Sequence, residues 1–381
     1  ILKYKRISLK LVNIHLSINR MNTQKTLKNI NPYLAGKSKI TGKKGVIKLS
    51  SNESPFGPSA NVLAKIKTIS NSTNRYPESG SLKLKDSISK RYNLNRNNIF
   101  CANGSDEILG LICQLYLTKG DEVIIPKNSF LMYEIYSKIN NAKVINSKTL
   151  DYRVDTKNIL KNINKKTKII FIANPNNPTG LYIDKFDLDS FIKKIPKRII
   201  IVLDAAYAEY LNNHDYENGM KYVRDNKNVI VTRTFSKIYG LASLRLGWCY
   251  ANLEIIALLD KIRGPFNVNS IAQEAGAIAI LEKGIEKKLI AHNEKWLKKI
   301  KTEFIKLPVT VYDSQANFIF IKLVKGVSQQ KKLNKHLLSH SIIIRTLDNY
   351  NMSDCIRVTI GTEKENKLLI NSFKSFFKNE K

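Results

Sequence analysis

The chain has 381 residues, 43% of them hydrophobic, which is enough for one large and one smaller globular domain. No apolar run reaches the roughly 18 residues of a membrane span, so we expect a soluble protein without membrane contacts. A net charge of +33 is typical of nucleic-acid-binding proteins when it is concentrated on one face. Here the lysines are spread along the whole chain. We therefore expect no nucleic acid partner, and at most an attraction for phosphorylated substrates.

The cysteines and histidines predict neither disulfides nor a metal site. His336 and His340 are spaced four residues apart, but they lack the adjacent glutamate of a zinc-protease helix. The cysteines are widely spaced and form no CxxC pair: Cys101, Cys113, Cys249 and Cys355. Buried thiols of this kind indicate a reducing compartment, so we expect a cytoplasmic protein.

The N-terminal part of the chain is polar and basic. Residues 1–20 contain no acidic residue, and Lys10, Asn13 and His15 interrupt their apolar stretch, which is unlike a secretory signal. We expect residues 1–20 to be either upstream translated sequence or a dispensable extension before Met21. Residues 21–59 are predicted to form an N-terminal arm.

Short runs rich in Val and Ile follow, separated by helical patterns. The runs predicted as strands are Asn98–Ala102, Glu122–Pro126, Lys168–Ala173, Arg198–Leu203 and Asn228–Thr234. Because these runs do not alternate with polar residues, they fit strands that are covered on both faces. The pattern predicts an α/β fold with a mainly parallel sheet.

Polar turns follow several of these strands. In an open α/β sheet the carboxyl ends of the strands form the ligand crevice, so the turns should meet there. The Gly104–Asp106 turn opens a helix, which could bind a phosphate or merely be capped. Asp204 ends an apolar strand and needs a partner, either a cationic ring nitrogen or an arginine or helix cap. Lys237 follows the last strand, where desolvation could make its amine a nucleophile.

Short motifs in this order and spacing resemble a known enzyme family. They are NPYLAG at Asn31, LSSNESPFGPS at Leu49, RYP at Arg75, NGSDE at Asn103, ANPNNPTG at Ala173, LDAAY at Leu203, TRTFSKIYGLASLRLGW at Thr232, PFNVNSIAQ at Pro265, SQANF at Ser314 and IRVTIGTEKEN at Ile356. The series resembles the fold-type I pyridoxal-phosphate aminotransferases, most closely the histidinol-phosphate aminotransferases. The resemblance implies a large domain over residues 60–270, with a seven-stranded, mainly parallel sheet. Residues 271–381 would form a smaller α+β domain, joined by the arm.

The resemblance implies pyridoxal phosphate as cofactor. Lys237 would bind it as a Schiff base and move the proton between the substrate and the cofactor. Asp204 would pair with the pyridine nitrogen, and Asn177 and Tyr207 with the ring oxygen. The phosphate would be held by Ser236, Arg245 and the backbone N–H groups of Ser105 and Asp106. Tyr133 is predicted to stack on the pyridine ring.

The resemblance also implies the partners. Tyr76 would reach the cofactor phosphate of a neighbouring subunit, so we expect a homodimer with shared active sites. Arg357 and Arg345 would bind the anionic groups of the substrates, with Tyr33 and Asn52 closing over them. The expected reaction interconverts histidinol phosphate and 2-oxoglutarate with imidazole acetol phosphate and glutamate, a step of histidine synthesis.

Three alternatives remain open. An aromatic amino-acid aminotransferase and a threonine-phosphate decarboxylase share the cofactor motifs, although Arg345 favours a phosphate monoester. A DNA-binding regulator of the same fold would need an added helix-turn-helix module, which we do not expect in the short stretch before the first matching motif.

Overall fold

The computed structural model describes residues 30–211 and 213–380. The predicted extension at residues 1–20 and the first part of the predicted arm lie outside the described residues. The strands are β1 (Ile47–Leu49), β2 (Ile99–Ala102), β3 (Glu122–Pro126), β4 (Lys143–Ser147), β5 (Thr149–Leu150), β6 (Arg153–Val154), β7 (Thr167–Ala173), β8 (Ile200–Asp204), β9 (Val229–Thr234), β10 (Gly247–Tyr250), β11 (Val309–Val311), β12 (Phe318–Leu323), β13 (Ile342–Leu347) and β14 (Met352–Thr359).

The α-helices alternate with the strands in the first two thirds of the chain. They are α1 (Ala60–Ile69), α2 (Leu82–Tyr92), α3 (Ser105–Tyr116), α4 (Leu131–Ile139), α5 (Thr156–Asn162), α6 (Lys185–Lys194), α7 (Met220–Asp225), α8 (Leu253–Ile262), α9 (Ser270–Ala279), α10 (Lys283–Phe304), α11 (Gly326–Ser339) and α12 (Glu363–Asn379). Within the described residues, no helix combines the length and hydrophobicity that crossing a bilayer requires.

The larger sheet has seven strands in the order β2-β10-β9-β8-β7-β3-β4. All neighbours run parallel except β10, which is antiparallel to both β2 and β9. The predicted mainly parallel, seven-stranded sheet is therefore confirmed. The five predicted strands are all present, with ends that shift by at most two residues. The sequence analysis did not predict β4 and β10, which lie outside the five runs.

Both faces of this sheet are buried. Ile170 and Ile172 of β7 belong to one apolar cluster, and Ile169 and Phe171 belong to another. Because successive side chains of a strand point to opposite faces, the two clusters lie on opposite sides of the sheet. This double burial explains why the strand sequences are continuously apolar. Each buried side chain of this size contributes about 1.5–3 kcal/mol to folding.

A second sheet has five strands in the order β1-β13-β14-β12-β11. β1, from the predicted arm, is parallel to β13, whereas the other neighbours are antiparallel. Apolar residues of α10, α11 and α12 pack against this sheet. The mixture of an antiparallel sheet and helices is the expected α+β arrangement. The division of the chain at residues 60 and 270 stays a prediction.

The turns that carry polar residues follow the carboxyl ends of the central strands. α3 begins three residues after β2, the Pro175–Gly180 turn follows β7, and Asp204 is the last residue of β8. Lys237 comes three residues after β9. Parallel strands place these ends at one edge of the sheet, where a ligand crevice is expected.

Candidate active site

A cavity of about 260 Å³ lies at this edge and is also lined by residues of the second sheet. Most of the predicted site residues line it. They are Tyr33, Asn52, Ser105, Asp106, Asn177, Asp204, Tyr207, Ser236, Lys237, Arg245, Arg345 and Arg357. Tyr76 and Tyr133 are not among the lining residues. The cavity therefore brings together groups from turns that are far apart in sequence.

Asp204 is a buried carboxylate at the base of the cavity, with 6% of its surface exposed. The Tyr133 hydroxyl donates to its Oδ2 atom at 2.7 Å, and the Thr232 hydroxyl donates to Oδ1 at 3.2 Å. Burial raises the pKa of Asp204, because a low-dielectric site disfavours the charged form. A cationic group in the cavity would reverse this effect, so the site favours a ligand with a positively charged nitrogen.

Tyr133 does not line the cavity, which is at odds with its predicted stacking on the pyridine ring. Its ring is fully buried and lies face to face with Phe171, with the ring centroids 4.7 Å apart. Burial and the neighbouring Asp204 raise the pKa of Tyr133 well above its usual value, so its hydroxyl remains a donor. Phe130, three residues earlier, lines the cavity instead. Both aromatic residues belong to the SFLMY motif, and the structure places Phe130 rather than Tyr133 at the cavity.

Lys237 lies next to Tyr207, with its Nζ atom 5.7 Å from the centre of the Tyr207 ring. Its Nζ atom donates to the Ser51 carbonyl oxygen at 3.3 Å. Burial and, to a smaller extent, the positive charges of Arg357 and Arg245 lower the pKa of Lys237 to about 8. A substantial fraction of the amine is therefore neutral and nucleophilic near neutral pH.

The start of α3 forms an anion cradle at another end of the cavity. Its first N–H groups have no partner within the helix and carry the positive end of the helix dipole. Gly104 precedes them with φ 86°, and a Cβ atom there would lie 2.7 Å from Arg245 Nη2. A Cβ atom on Gly247 would lie 2.3 Å from Ser105 N. Arg245 donates to Ser236 Oγ at 3.3 Å, so guanidinium, hydroxyl and helix start converge. This donor set fits a phosphate.

Two hydrogen bonds hold polar groups of the cavity in fixed directions. The Asn52 amide nitrogen donates to the Tyr207 hydroxyl at 2.8 Å, and Asn52 is only 1% exposed. Arg357 donates to the side-chain oxygen of Asn177. Asn52 lines the cavity, and one of the two N–H donors of its amide is used by Tyr207. The sequence analysis missed this contact, which joins residues 155 positions apart.

Arg345 and Arg357 face the cavity from neighbouring strands of the second sheet. They are directly paired between β13 and β14, so their side chains point to the same face. They are 7% and 5% exposed. Arg345 donates to the Leu34 carbonyl oxygen at 2.7 Å, and Arg357 donates to the Ser50 carbonyl oxygen at 2.9 Å. Arg357 Nε is buried without a hydrogen-bond partner among the described residues. Two buried guanidiniums with spare donors fit an anionic substrate.

Two aromatic site residues are largely exposed. Tyr33 lines the cavity with 43% of its surface exposed, and its ring is edge-on to Phe130 at 6.4 Å. Tyr76 is 83% exposed and stacks on Phe266, with the ring centroids 4.5 Å apart. Within this chain, Tyr76 does not reach the cavity, and its predicted contact with a second subunit stays a prediction.

The cavity as a whole fits pyridoxal phosphate. Asp204 offers a buried carboxylate to the protonated pyridine nitrogen, and the cradle at the start of α3 offers donors to the phosphate. Phe130 offers an aromatic ring, and Lys237 offers a neutral amine to the aldehyde. These four groups match the pyridine nitrogen, the phosphate, the ring face and the aldehyde of pyridoxal phosphate.

Comparison with known proteins identifies the family. Residues 44–373 match the family model described as aminotransferase class I and II. The histidinol-phosphate aminotransferase of Pelagibacter ubique is 41% identical over 91% of this chain and 97% of its own length. That of Maricaulis maris is 39% identical over 92% of this chain and 97% of its own length.

A solved structure agrees with these matches. The histidinol-phosphate aminotransferase of Sinorhizobium meliloti, crystallised in complex with pyridoxal-5′-phosphate, is 25% identical to this chain. It superimposes with a TM-score of 0.85 over 89% of this chain and 93% of its own. The chain is thus a pyridoxal-phosphate-dependent transaminase, and it belongs to the class I and II aminotransferases, in the family of the histidinol-phosphate aminotransferases.

Proposed function

We propose that the enzyme interconverts histidinol phosphate and 2-oxoglutarate with imidazole acetol phosphate and glutamate, a step of histidine synthesis. The observation that carries the proposal is the pair of buried guanidiniums, Arg345 and Arg357, on one face of the second sheet. A phosphate monoester has more acceptor oxygens than a carboxylate and uses two such groups. The names and the 37–41% identity of the relatives support the same substrate.

The cofactor supplies an electron sink for the negative charge that develops at the substrate Cα. Asp204 would hold the proton on the pyridine nitrogen, since a buried carboxylate strongly favours a cationic neighbour. Tyr207 and Asn177 offer donors to the ring oxygen. Ser236, Arg245 and the backbone N–H groups of Ser105 and Asp106 would bind the phosphate, and Phe130 would pack against the ring in place of Tyr133.

Lys237 is the base in this proposal. Its neutral amine would first bind the cofactor aldehyde and then, once displaced by the substrate amine, accept the proton from the substrate Cα. The lowered pKa of Lys237, about 8, suits both tasks, because the amine must be unprotonated to act. The Ser51 carbonyl oxygen orients its Nζ atom.

We further propose that the enzyme is a homodimer whose subunits share their active sites. Tyr76, Leu82, Ile262 and Phe266 are exposed apolar residues. They lie close together, because Arg263 donates to Ser79 Oγ at 3.2 Å and so joins the two segments. Exposed apolar patches of this kind often mark contacts between subunits.

We also propose a cytoplasmic location. The four cysteines are all free and buried. Buried thiols without disulfides are usual in a reducing compartment.

The pKa of Lys237 predicts how cofactor binding depends on pH. Below its pKa of about 8 the amine is mostly protonated, so the rate at which the cofactor-free enzyme develops visible absorption with pyridoxal phosphate should fall about tenfold per pH unit. Above that pH the rate should level off. Stopped-flow absorbance between pH 6 and pH 10 measures the profile, and Lys237→Ala reports the background from other lysines. A rate that keeps climbing to the ordinary lysine pKa of 10.5 would contradict the assignment.

The substrate assignment predicts unequal damage from Arg345→Ala. Losing one charge-assisted donor should lower kcat/KM for histidinol phosphate roughly ten- to a hundredfold. The glutamate half-reaction should suffer less, because Arg357 can bind a carboxylate alone. Single-turnover kinetics of the two half-reactions measure the difference.

Arg96→Ala is the matched control, because Arg96 forms an exposed ion pair with Asp86 away from the cavity. It should leave both half-reactions unchanged. Equal losses in both half-reactions of Arg345→Ala would refute the role of Arg345. A wild-type enzyme that prefers phenylalanine to histidinol phosphate would refute the substrate.

The shared site predicts complementation between two inactive variants. Tyr76→Ala should weaken cofactor binding, and Lys237→Ala should be inactive. When the two are unfolded and refolded together, each mixed dimer contains one intact site, so about a quarter of the wild-type activity should return. Phe186→Ala, which alters another exposed aromatic residue (70% exposed), should bind the cofactor normally. A fully active Tyr76→Ala variant, or no recovery in the mixture, would argue against shared sites.

A further inference from the structure

Asn52 is held at all four of its polar positions. Its backbone N–H donates to Thr359 Oγ1 at 2.9 Å, and its carbonyl oxygen accepts from the Asn317 side chain at 3.0 Å. Its side-chain oxygen accepts from Thr359 Oγ1 at 3.2 Å, and its amide nitrogen donates to the Tyr207 hydroxyl at 2.8 Å. Asn52 also has φ 57°, a left-handed conformation that asparagine tolerates better than most residues. Such a residue has a fixed orientation.

Two consecutive hydrogen bonds link Thr359, Asn52 and Tyr207, and the direction of each proton in them can be worked out. Thr359 has a single hydroxyl proton, and its oxygen already accepts from the Asn52 backbone, so the proton goes to the Asn52 side-chain oxygen. Rotating the carboxamide of Asn52 by 180° would turn its NH₂ group toward Thr359, and the Thr359 hydroxyl proton would lose the acceptor that it has in this structure. Its NH₂ group must therefore face Tyr207.

This direction has a consequence for Tyr207. Its hydroxyl oxygen accepts from Asn52, so its own proton is free to be donated elsewhere. Burial raises the pKa of Tyr207, so the hydroxyl stays protonated. The side chain lines the cavity, where the bound cofactor would present its ring oxygen. The donor is thus aimed before the cofactor binds.

We propose that Asn52 and Thr359 are positioning residues that fix the Tyr207 hydroxyl as a donor toward the cofactor and thereby lower the pKa of its linkage to Lys237. A donor to the ring oxygen stabilises negative charge on that oxygen, which makes the linked nitrogen less basic. A less basic nitrogen is unprotonated over more of the pH range. Thr359 lies on β14 and Asn52 follows β1, and both strands belong to the second sheet. Residues of the second sheet therefore orient the hydroxyl of Tyr207, which follows β8 of the larger sheet.

The inference rests on the cofactor assignment but not on the choice of substrate. A pH titration of the visible absorption of the purified, cofactor-bound enzyme without substrate tests it. A failure to bind pyridoxal phosphate at all would refute the cofactor assignment, whereas an unaltered titration in a cofactor-bound variant would refute only the role of Asn52.

Asn52→Asp is the central variant. It keeps the shape of the side chain but replaces the donor with a carboxylate acceptor, so the Tyr207 proton should turn away from the cavity. The pKa of the absorption change should rise by about one unit or more. Thr359→Val, which removes the hydroxyl without adding charge, should also raise it, and Thr359→Ser should restore the wild-type value. Circular dichroism and cofactor content verify that each variant is folded and loaded.

A double-substitution cycle separates this route from a direct effect of the new charge. Tyr207→Phe alone should raise the pKa, and adding Asn52→Asp to Tyr207→Phe should change it no further, since the effect acts through the hydroxyl. The proposal is overturned if Asn52→Asp shifts the pKa equally with and without the Tyr207 hydroxyl. It is also overturned if Asn52→Asp and Thr359→Val both titrate like the wild-type enzyme.

Discussion

The architecture of the active site depends on one buried carboxylate, that of Asp204. Two hydroxyl groups, of Tyr133 and Thr232, donate to its two oxygens and hold it at the carboxyl end of β8. Both donors are neutral, so they orient the carboxylate without balancing its charge. A buried anion in that state is costly until a cation reaches it. In the proposed complex the protonated pyridine nitrogen would supply this cation, so that binding and electronic activation of the cofactor would be one event.

The second sheet contributes more than substrate contacts. Arg357 donates to the Asn177 side-chain oxygen, and Thr359 orients Asn52, which donates to Tyr207. Asn177 and Tyr207 are the two residues assigned to the ring oxygen. Strand β14 therefore sets the direction of both donors. Movement of the second sheet relative to the first would alter the cofactor as well as the substrate pocket.

A buried ion pair connects the two loops that carry Tyr207 and Lys237. Arg233 of β9 donates to Glu209 at 2.8 Å, and each side chain is 3% exposed. Glu209 lies two residues after Tyr207. The pair also contacts Tyr92, whose hydroxyl is 3.1 Å from that of Tyr239. Removing one partner of such a pair typically costs about 3–5 kcal/mol, since the other charge is left unpaired. The pair thus stabilises the relative position of the two loops.

The sequence predicted features that depend on local patterns. Continuous apolar runs identified the central strands, and the motifs at their ends identified Asp204 and Lys237. The sequence did not predict which aromatic residue of SFLMY lines the cavity. Phe130 and Tyr133 are close together in the chain, and the orientation of the start of α4 determines which of them faces the cavity. The role of Asn52 was also beyond reach, since its contact with Thr359 joins residues 307 positions apart. Strand β10 was not predicted because its sequence, GWCY, contains no Val or Ile.

The most direct test of the central claim is a crystal structure of the enzyme grown with pyridoxal phosphate. The account predicts electron density that is continuous from Lys237 Nζ to the cofactor, with the pyridine nitrogen at hydrogen-bonding distance from Asp204 and the phosphate at the start of α3. A cofactor joined to another lysine, or a pyridine nitrogen turned away from Asp204, would contradict it.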